Sequence, residues 1–248
     1  MDDIFNINQS IMTFMALLPI SIFVLPVVIT IAVVIISSIY QRKIYAKSEY
    51  FAATKTPYST MRRDSGLYGE YLIYRQLTKL EGSKRFLFNS YLPKNDGTTS
   101  EVDVILLHSS GIYVFESKNY SGWIFATETQ TMWTQTFRNG HKEKFYNPIM
   151  QNSTHIKWLM NILPEVDKSI FHSIIVFSER CELKKINLTT NDHIVLKRSY
   201  LMRTFVDKTG KEVLPDNAME SIYQKLYPFT QATESVKAAH RQQSNRGA

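Results

Sequence analysis

A chain of 248 residues with 44% hydrophobic, 12% aromatic and 21% charged residues has the composition of a folded domain with some extra length, which excludes an intrinsically disordered protein. The formal net charge of +7 suits a polyanion or an anionic membrane surface as partner, and equally an ordinary solvated basic surface. Cys181 is the only cysteine, which excludes an internal disulfide framework and a cysteine-rich zinc site and fits a reducing compartment.

The N-terminal region carries no charge from Ile4 to Gln41. Its centre, "LLPISIFVLPVVITIAVVIISSIY", exceeds the ~20 residues that a helix needs to cross a bilayer core of ~30 Å. Pro19 and Pro26 are tolerable in a membrane helix. The acidic flank at Asp2 and Asp3 and the length of the run argue for an uncleaved anchor rather than a signal peptide. The expected division is a short extracytoplasmic N-terminus at 1–13, a transmembrane helix at 14–40 and a basic juxtamembrane linker at 41–63. Arg42, Lys43 and Lys47 follow the span at once, so the positive-inside rule places the N-terminus outside and the remainder in the cytoplasm. Residues 42–63 hold six Lys or Arg against one Glu, a composition expected to lie on anionic lipid.

Residues 64–81 read as a helix that Asp64 or Ser65 can cap, with Leu67, Tyr71, Tyr74 and Leu77 as its apolar stripe and Glu70 pointing with them. "RFLFNSYLP" reads as a strand and "KNDGTTS" as a loop. Residues 101–120, "EVDVILLHSSGIYVFESKNY", form the clearest hairpin, with "GWIFATETQTMWTQTF" as further strand and "RNGHKEK" as a polar turn. Asn147-Pro148 starts a helix with Ile149, Ile156, Leu159, Met160 and Leu163 on its buried face. "FHSIIVFS" reads as a central strand and "HIVLK" as a weaker one, Ser199 and Asp216 can each cap a short helix, and 230–248 reads as a disordered polar tail. The element order predicts an α/β (α+β) domain over 64–229, a mixed β-sheet flanked by helices.

The hairpin carries charges where a core strand should be apolar. Closing it with a two-residue turn at Ser109-Ser110, or a four-residue loop from His108 to Gly111, sets Asp103 opposite Glu116 and Glu101 opposite Lys118. Like charges at opposed positions, ~5 Å apart at Cβ, destabilise a sheet unless a cation or a shared proton lies between them. Hard divalent ions such as Mg²⁺ take oxygen ligands of this kind. Lys118, on the same face as Glu116, can touch a phosphoryl oxygen or orient an attacking water, so the set fits metal-assisted phosphodiester hydrolysis. A half-exposed strand face with a Glu101–Lys118 ion pair is the plainer reading of the same residues. Trp123 and Trp133 could stack on bases, although at strand spacing they are more often core aromatics. The six histidines show no metal-ligand spacing, and His155 is assigned no role.

Three segments, "GLYGEYLIYRQL", "EVDVILLHSSGIYVFESKNYSGWIF" and "FYNPIMQNSTHI", resemble in order the nuclease-related domain (NERD), a branch of the PD-(D/E)XK nuclease superfamily. The resemblance runs from about Gly66 to Leu163. It implies a restriction-endonuclease-like core, with Glu70 as the first-helix acid, Asp103 as the strand acid, Glu116 and Lys118 as the signature acid-x-Lys, and Gln151 as the motif glutamine. It also implies Mg²⁺ or Mn²⁺ on Asp103, Glu116 and Glu70, and a nucleic acid, DNA foremost, as substrate. The family often has Gln two residues before the strand Asp, where this chain has Glu101, which could add a ligand or bind Lys118 and blunt it. The expectation is thus a membrane-anchored cytoplasmic nuclease. The alternatives are a non-catalytic nucleic-acid or protein binding module of the same fold, and a membrane-bound structural protein without a polyanion partner.

Overall fold

The computed structural model describes residues 2–206 and 211–246, so Met1, residues 207–210 inside the expected domain and residues 247–248 of the expected tail lie outside the described residues. The chain divides into two compact units, Met1–Ser48 and Glu49–Ala248.

The first unit is one helix, α1 (Asp2–Ala46), longer at both ends than the expected span. Its stretch Val24–Ala46 is long and apolar enough to cross a membrane. Eleven large apolar side chains from Val24 to Ile39 are more than half exposed, the reverse of what a soluble core helix shows. The Thr30 hydroxyl turns back to donate to the Pro26 carbonyl at 2.7 Å, satisfying that acceptor without water.

The second unit runs α2 (Glu49–Thr54), α3 (Tyr58–Arg63), α4 (Ser65–Leu77), β1 (Lys84–Pro93), β2 (Thr99–His108), β3 (Gly111–Lys118), β4 (Gly122–Thr127), β5 (Met132–Thr136), β6 (Lys142–Tyr146), α5 (Pro148–Ile162), β7 (Phe171–Phe177), β8 (Cys181–Asn187), β9 (His193–Lys197), α6 (Leu201–Val206), α7 (Asp216–Leu226) and α8 (Glu234–Arg246). The predicted mixed sheet is present as a five-stranded sheet in the order β1-β2-β3-β7-β9, antiparallel as far as β3 and parallel beyond it. Tyr50, Tyr71, Tyr74 and Phe88 join aromatic edges on one face, bringing α2 and α4 onto β1. Ile105, Leu107, Ile112 and Val114 pack with Leu159 of α5 and Met219, Ile222 and Leu226 of α7 on the other. Each such fully buried aliphatic side chain contributes roughly 1.5–3 kcal/mol. A second sheet, β6-β5-β4-β8, stands beside the first, with Ile124, Trp133 and Cys181 packed on Ile149, Ile175 and Phe177.

The helices start where their caps are. Asp64 accepts from the Gly66 and Leu67 amides at 2.8 and 3.0 Å, and Asn147 accepts from the Ile149 amide at 2.9 Å with Pro148 at the first helical position. Such caps stabilise by about 1 kcal/mol each.

Several expectations need correction. The compact unit begins at Glu49 rather than 64, because Tyr50 and Met61 of the basic segment are completely buried. The long strand after the hairpin is two strands, β4 and β5, joined by a turn. The polar stretch "KEKFY" is an edge strand, β6, whose outer residues face water. The tail is not disordered over its described part: α8 forms, with His240 edge-on to Tyr91 at 5.7 Å and against Thr99 at 3.2 Å. Asp216 is the first residue of α7, with Pro215 in the cap position, and makes no cap bond.

Candidate active site

The hairpin closes through Ser109-Ser110, His108 pairing with Gly111, and the register up to Val104 opposite Phe115 is the expected one. There the ladder stops. The Ser117 amide donates instead to Asp103 Oδ2 at 2.8 Å, so a side chain replaces the next rung and binds the two strands at the candidate acids. The β1–β2 ladder is also interrupted at Asn89, opposite Asp103, where Asn89 takes φ 48°. This break switches the alternation, so that Val102 as well as Ile105 and Leu107 joins the α5-facing core.

Beyond the break, Glu101 does not pair with Lys118. Tyr91 on β1 donates to Glu101 Oε1 at 2.5 Å, and His240 of α8 lies 3.5 Å from Oε2. Extending the register failed because β2 stays with β1 as far as Thr99 while β3 parts from it after Phe115.

Lys118 therefore belongs to other partners. Its ammonium is 2.7 Å from Glu116 Oε1 and donates to Gln151 Oε1 at 3.0 Å. Glu116 is completely buried, and its second oxygen, Oε2, lies 3.2 Å from His155 Nε2. His155 Nδ1 is 2.7 Å from Ser100 Oγ. The structure thus brings Glu116, Lys118 and Gln151 into direct contact and sets Asp103 on the amide between the first two. Glu70 reaches the group only through space. Its carboxylate accepts from Tyr50 Oη at 3.0 Å, and α4 comes close to β3 because Gly69 has no Cβ: one placed there would lie 2.6 Å from Ser117 Oγ.

Charge is unevenly settled here. Burial, then the charges of Glu101, Asp64 and Glu116, push the Glu70 carboxyl up to about 8 against the pull of the Tyr50 hydroxyl. Burial and the Glu116 and Glu70 charges hold Asp103 well above the usual carboxylate range despite Lys118 and the Ser117 amide. Burial also raises Glu116, but Lys118 and His155 outweigh it, and the carboxyl lies below its ordinary value. Lys118 is raised, its burial overcome chiefly by Glu116.

The donor set is all oxygen and rich in carboxylate, which fits a hard divalent cation. Among the described residues no three His, Cys, Asp or Glu side chains converge as a ready-made cage. Mg²⁺ does not require one, since it is commonly held by one or two carboxylates completed by water and substrate phosphate. A cavity of about 1060 Å³ along α5, β7 and β9 is lined by none of these residues, so the candidate site rests on the chemistry of its side chains.

The sequence reading missed His155, Ser100, Tyr50 and the reason for Gly69. His155 was findable: it lies one turn after Gln151, on the same side of α5.

The family model described as nuclease-related domain, NERD, matches residues 65–178, which hold the whole cluster. An uncharacterized protein of Bacillus anthracis is 30% identical over 181 residues, covering 71% of this chain and 81% of that protein. Among solved structures, Can2 from Sulfobacillus thermosulfidooxidans, in complex with cyclic tetra-adenylate, aligns with a TM-score of 0.32 and 18% identity over 59% of this chain and 36% of its own. From its matched segment and its relative, the chain belongs to the nuclease-related domain family.

Proposed function

We propose that the protein is a Mg²⁺-dependent nuclease, hydrolysing phosphodiester bonds of nucleic acid, DNA foremost, and held at the membrane by α1 with its second unit in the cytoplasm. The observation that supports this reading is the contact of buried Glu116 with Lys118, with Asp103 on the amide between them and the Glu70 charge acting on both acids. A phosphate binder has no use for three acids, whereas a cation site does. Asp103 and Glu116 would hold the cation, with Glu70 beside them. When bound, it supplies Lewis-acid polarisation of the phosphoryl group and a water of lowered pKa. Lys118, positioned by Glu116 and Gln151, offers its ammonium to a phosphoryl oxygen and stabilises the charge that gathers there. His155 and Ser100 hold the Glu116 carboxylate in place.

One observation favours a second reading, a binding module without catalysis: both oxygens of Glu116 are already engaged, by Lys118 and by His155. A single experiment decides between them. The full chain in detergent is incubated with circular and linear DNA, with chelator, Mg²⁺, Mn²⁺ or Ca²⁺. Cutting supported by Mg²⁺ or Mn²⁺ and poorly by Ca²⁺ is expected; binding without cutting in every metal selects the module. For the anchor, the chain should stay with membranes through a high-salt wash, and its C-terminus should resist protease in spheroplasts. Salt extraction contradicts the anchor, and digestion of the C-terminus reverses its orientation.

A further inference from the structure

The second sheet has one face in the core and one in water. On the inner side Ile124, Trp133, Leu183 and Ile186 are packed. On the outer side Trp123 and Phe125 remain 40% and 38% exposed, in the third column of a four-stranded sheet. The register places what surrounds them. Trp123 lies level with Thr136 and Lys142 on one side and Glu182 on the other, and Phe125 with Thr134, Lys144 and Lys185. An irregularity between Ile124 and Phe125 turns Lys184 outward, where its ammonium lies 5.7 Å from the Trp123 ring centroid. Glu182, the acid of this grid, is paired with Lys184 at 2.7 Å. Among the described residues Lys142, Lys144 and Lys185 make no ion pair. The outer face thus has two aromatic rings on one strand with lysines on both flanks and a net positive charge, and continues at one end into the exposed Met132 and Tyr146.

From this grid we infer that the outer face of the β6-β5-β4-β8 sheet is a platform for single-stranded nucleic acid, on which Trp123 and Phe125 stack two bases while Lys142, Lys144, Lys184 and Lys185 follow the backbone. Residues two apart on a strand stand ~6.8 Å apart, within reach of neighbouring bases, and lysines two strands away lie ~10 Å from the rings, room for sugar and phosphate. Stacking needs unpaired bases, since a duplex hides their faces. The half-buried Thr134 lies between the columns, and the charge of the flanking lysines complements a polyanion. Chain connectivity ties the platform to the candidate site: β3 continues into β4 and β7 into β8, both pairs parallel, and the Ser178 amide bonds the Lys118 carbonyl at 3.0 Å. Trp123 follows Lys118 by five residues, at most ~17 Å of extended chain. Gly122 allows the turn between them, with φ 74° and no Cβ to strike the Thr136 carbonyl.

This inference rests on the nucleic-acid reading above and narrows it to strands that are single, frayed or gapped. The test measures binding of a labelled oligothymidylate of about 20 nucleotides, and of a duplex of equal length, to the full chain in detergent with chelator. Trp123→Ala/Phe125→Ala should weaken the oligothymidylate by about 30-fold or more and leave the duplex nearly unchanged. Trp123→Phe should keep most of the affinity and lose the quenching of tryptophan fluorescence that the oligonucleotide causes in the wild type. Lys142→Gln/Lys144→Gln, on an exposed edge strand where folding is not at risk, should weaken binding and flatten its salt dependence. Equal affinity in wild type and the double-alanine variant overturns the platform, as does a loss seen only with vesicles of anionic lipid, which would make the face a membrane contact. Platform binding by a chain that never cuts with Mg²⁺ upholds this inference and overturns the nuclease reading. Cutting that survives with unchanged affinity in the variant does the opposite.

Discussion

Two groups of shielded carboxylates in this molecule are treated in opposite ways. Glu128, in the turn after β4, is 8% exposed, and its oxygens accept from both the amides and the hydroxyls of Thr189 and Thr190. Those hydroxyls, Thr190 first, and then the Thr189 amide pull its carboxyl down to about 2. Asp103 within β2 and Glu70 on α4 have one hydrogen-bonded partner apiece among the described contacts and feel other acids, and their carboxyls rise. Glu128 is a finished joint that ties the loop after β8 to the turn after β4. The cluster relieves its repulsion by holding protons, and on the proposed reading a bound cation would take their place.

The sharpest way to break this contrast is chemical. Asp103→Ala, Glu116→Ala and Lys118→Ala should each reduce Mg²⁺-supported cutting by at least about 10²–10³-fold in a plasmid-nicking assay. Glu128→Gln should leave the rate near that of wild type. Full activity in Glu116→Ala would falsify the site as assigned.

A smaller effect is expected in stability, with opposite signs in the two places. Asn at position 103 can still accept from the Ser117 amide, so Asp103→Asn removes repulsion and little else. In chelator it should melt about 2–4 °C above wild type, the shift that ~1 kcal/mol produces in a domain of this size. Glu128→Gln should melt lower, since it replaces a charged acceptor of four donors. Saturating Mg²⁺ should raise the wild type and not Asp103→Asn. A variant at 103 that melts lower in chelator makes the pair structural.

The smallest effect is a slope against pH. Glu70 sits at about 8 in the fold against 4.5 for the free group, so between those values the folded chain holds a proton that the unfolded chain has lost. Stability from this group is therefore complete below about 4.5, declines as pH rises toward 8, and is level above it; Asp103 acts in the same direction. Glu128 acts with the other sign: its contribution is present above the ordinary carboxylate value and disappears as pH falls toward 2. Melting of the wild type in chelator from pH 5 to 8 should slope downward, and Glu70→Gln should flatten it. An equal slope in both proteins removes Glu70 from the cluster.

Much of the five-stranded sheet and its near layers was legible because local signals agreed. Asp64 and the Asn147-Pro148 pair marked helix starts by chemistry that needs no tertiary context, and the two-residue turn at Ser109-Ser110 fixed the register as far as Val104 opposite Phe115. The second sheet was not legible as a sheet. β6 and β8 are largely polar strands paired at its edges, and β8 runs parallel to β4 across a long stretch of chain that no periodicity reports. The Glu101–Lys118 pairing failed at the break opposite Asn89, since a ladder was extended through a point where the strands part. His155 escaped because histidines were screened for metal-ligand spacing, whereas its task is to hold a carboxylate. The tail looked disordered from composition alone, and α8 folds because His240 finds Tyr91 and Thr99 on strands far away in sequence.

The parallel pairing of β3 with β7 has a consequence for the order in which the site is assembled. Asp103 and Glu116 meet as soon as a local hairpin closes, a step of microseconds, whereas Ile112 must find Phe171 across 59 residues before β7 is in place. Gln151 and His155 arrive with α5 in between. During folding the two acids are thus neighbours before the partners that steady Glu116 and Lys118 are present, so their repulsion is felt by the early hairpin, ahead of the slower long-range pairing. If the proposed cation site is right, divalent ions, like mild acid, should stabilise that early hairpin as well as the finished domain.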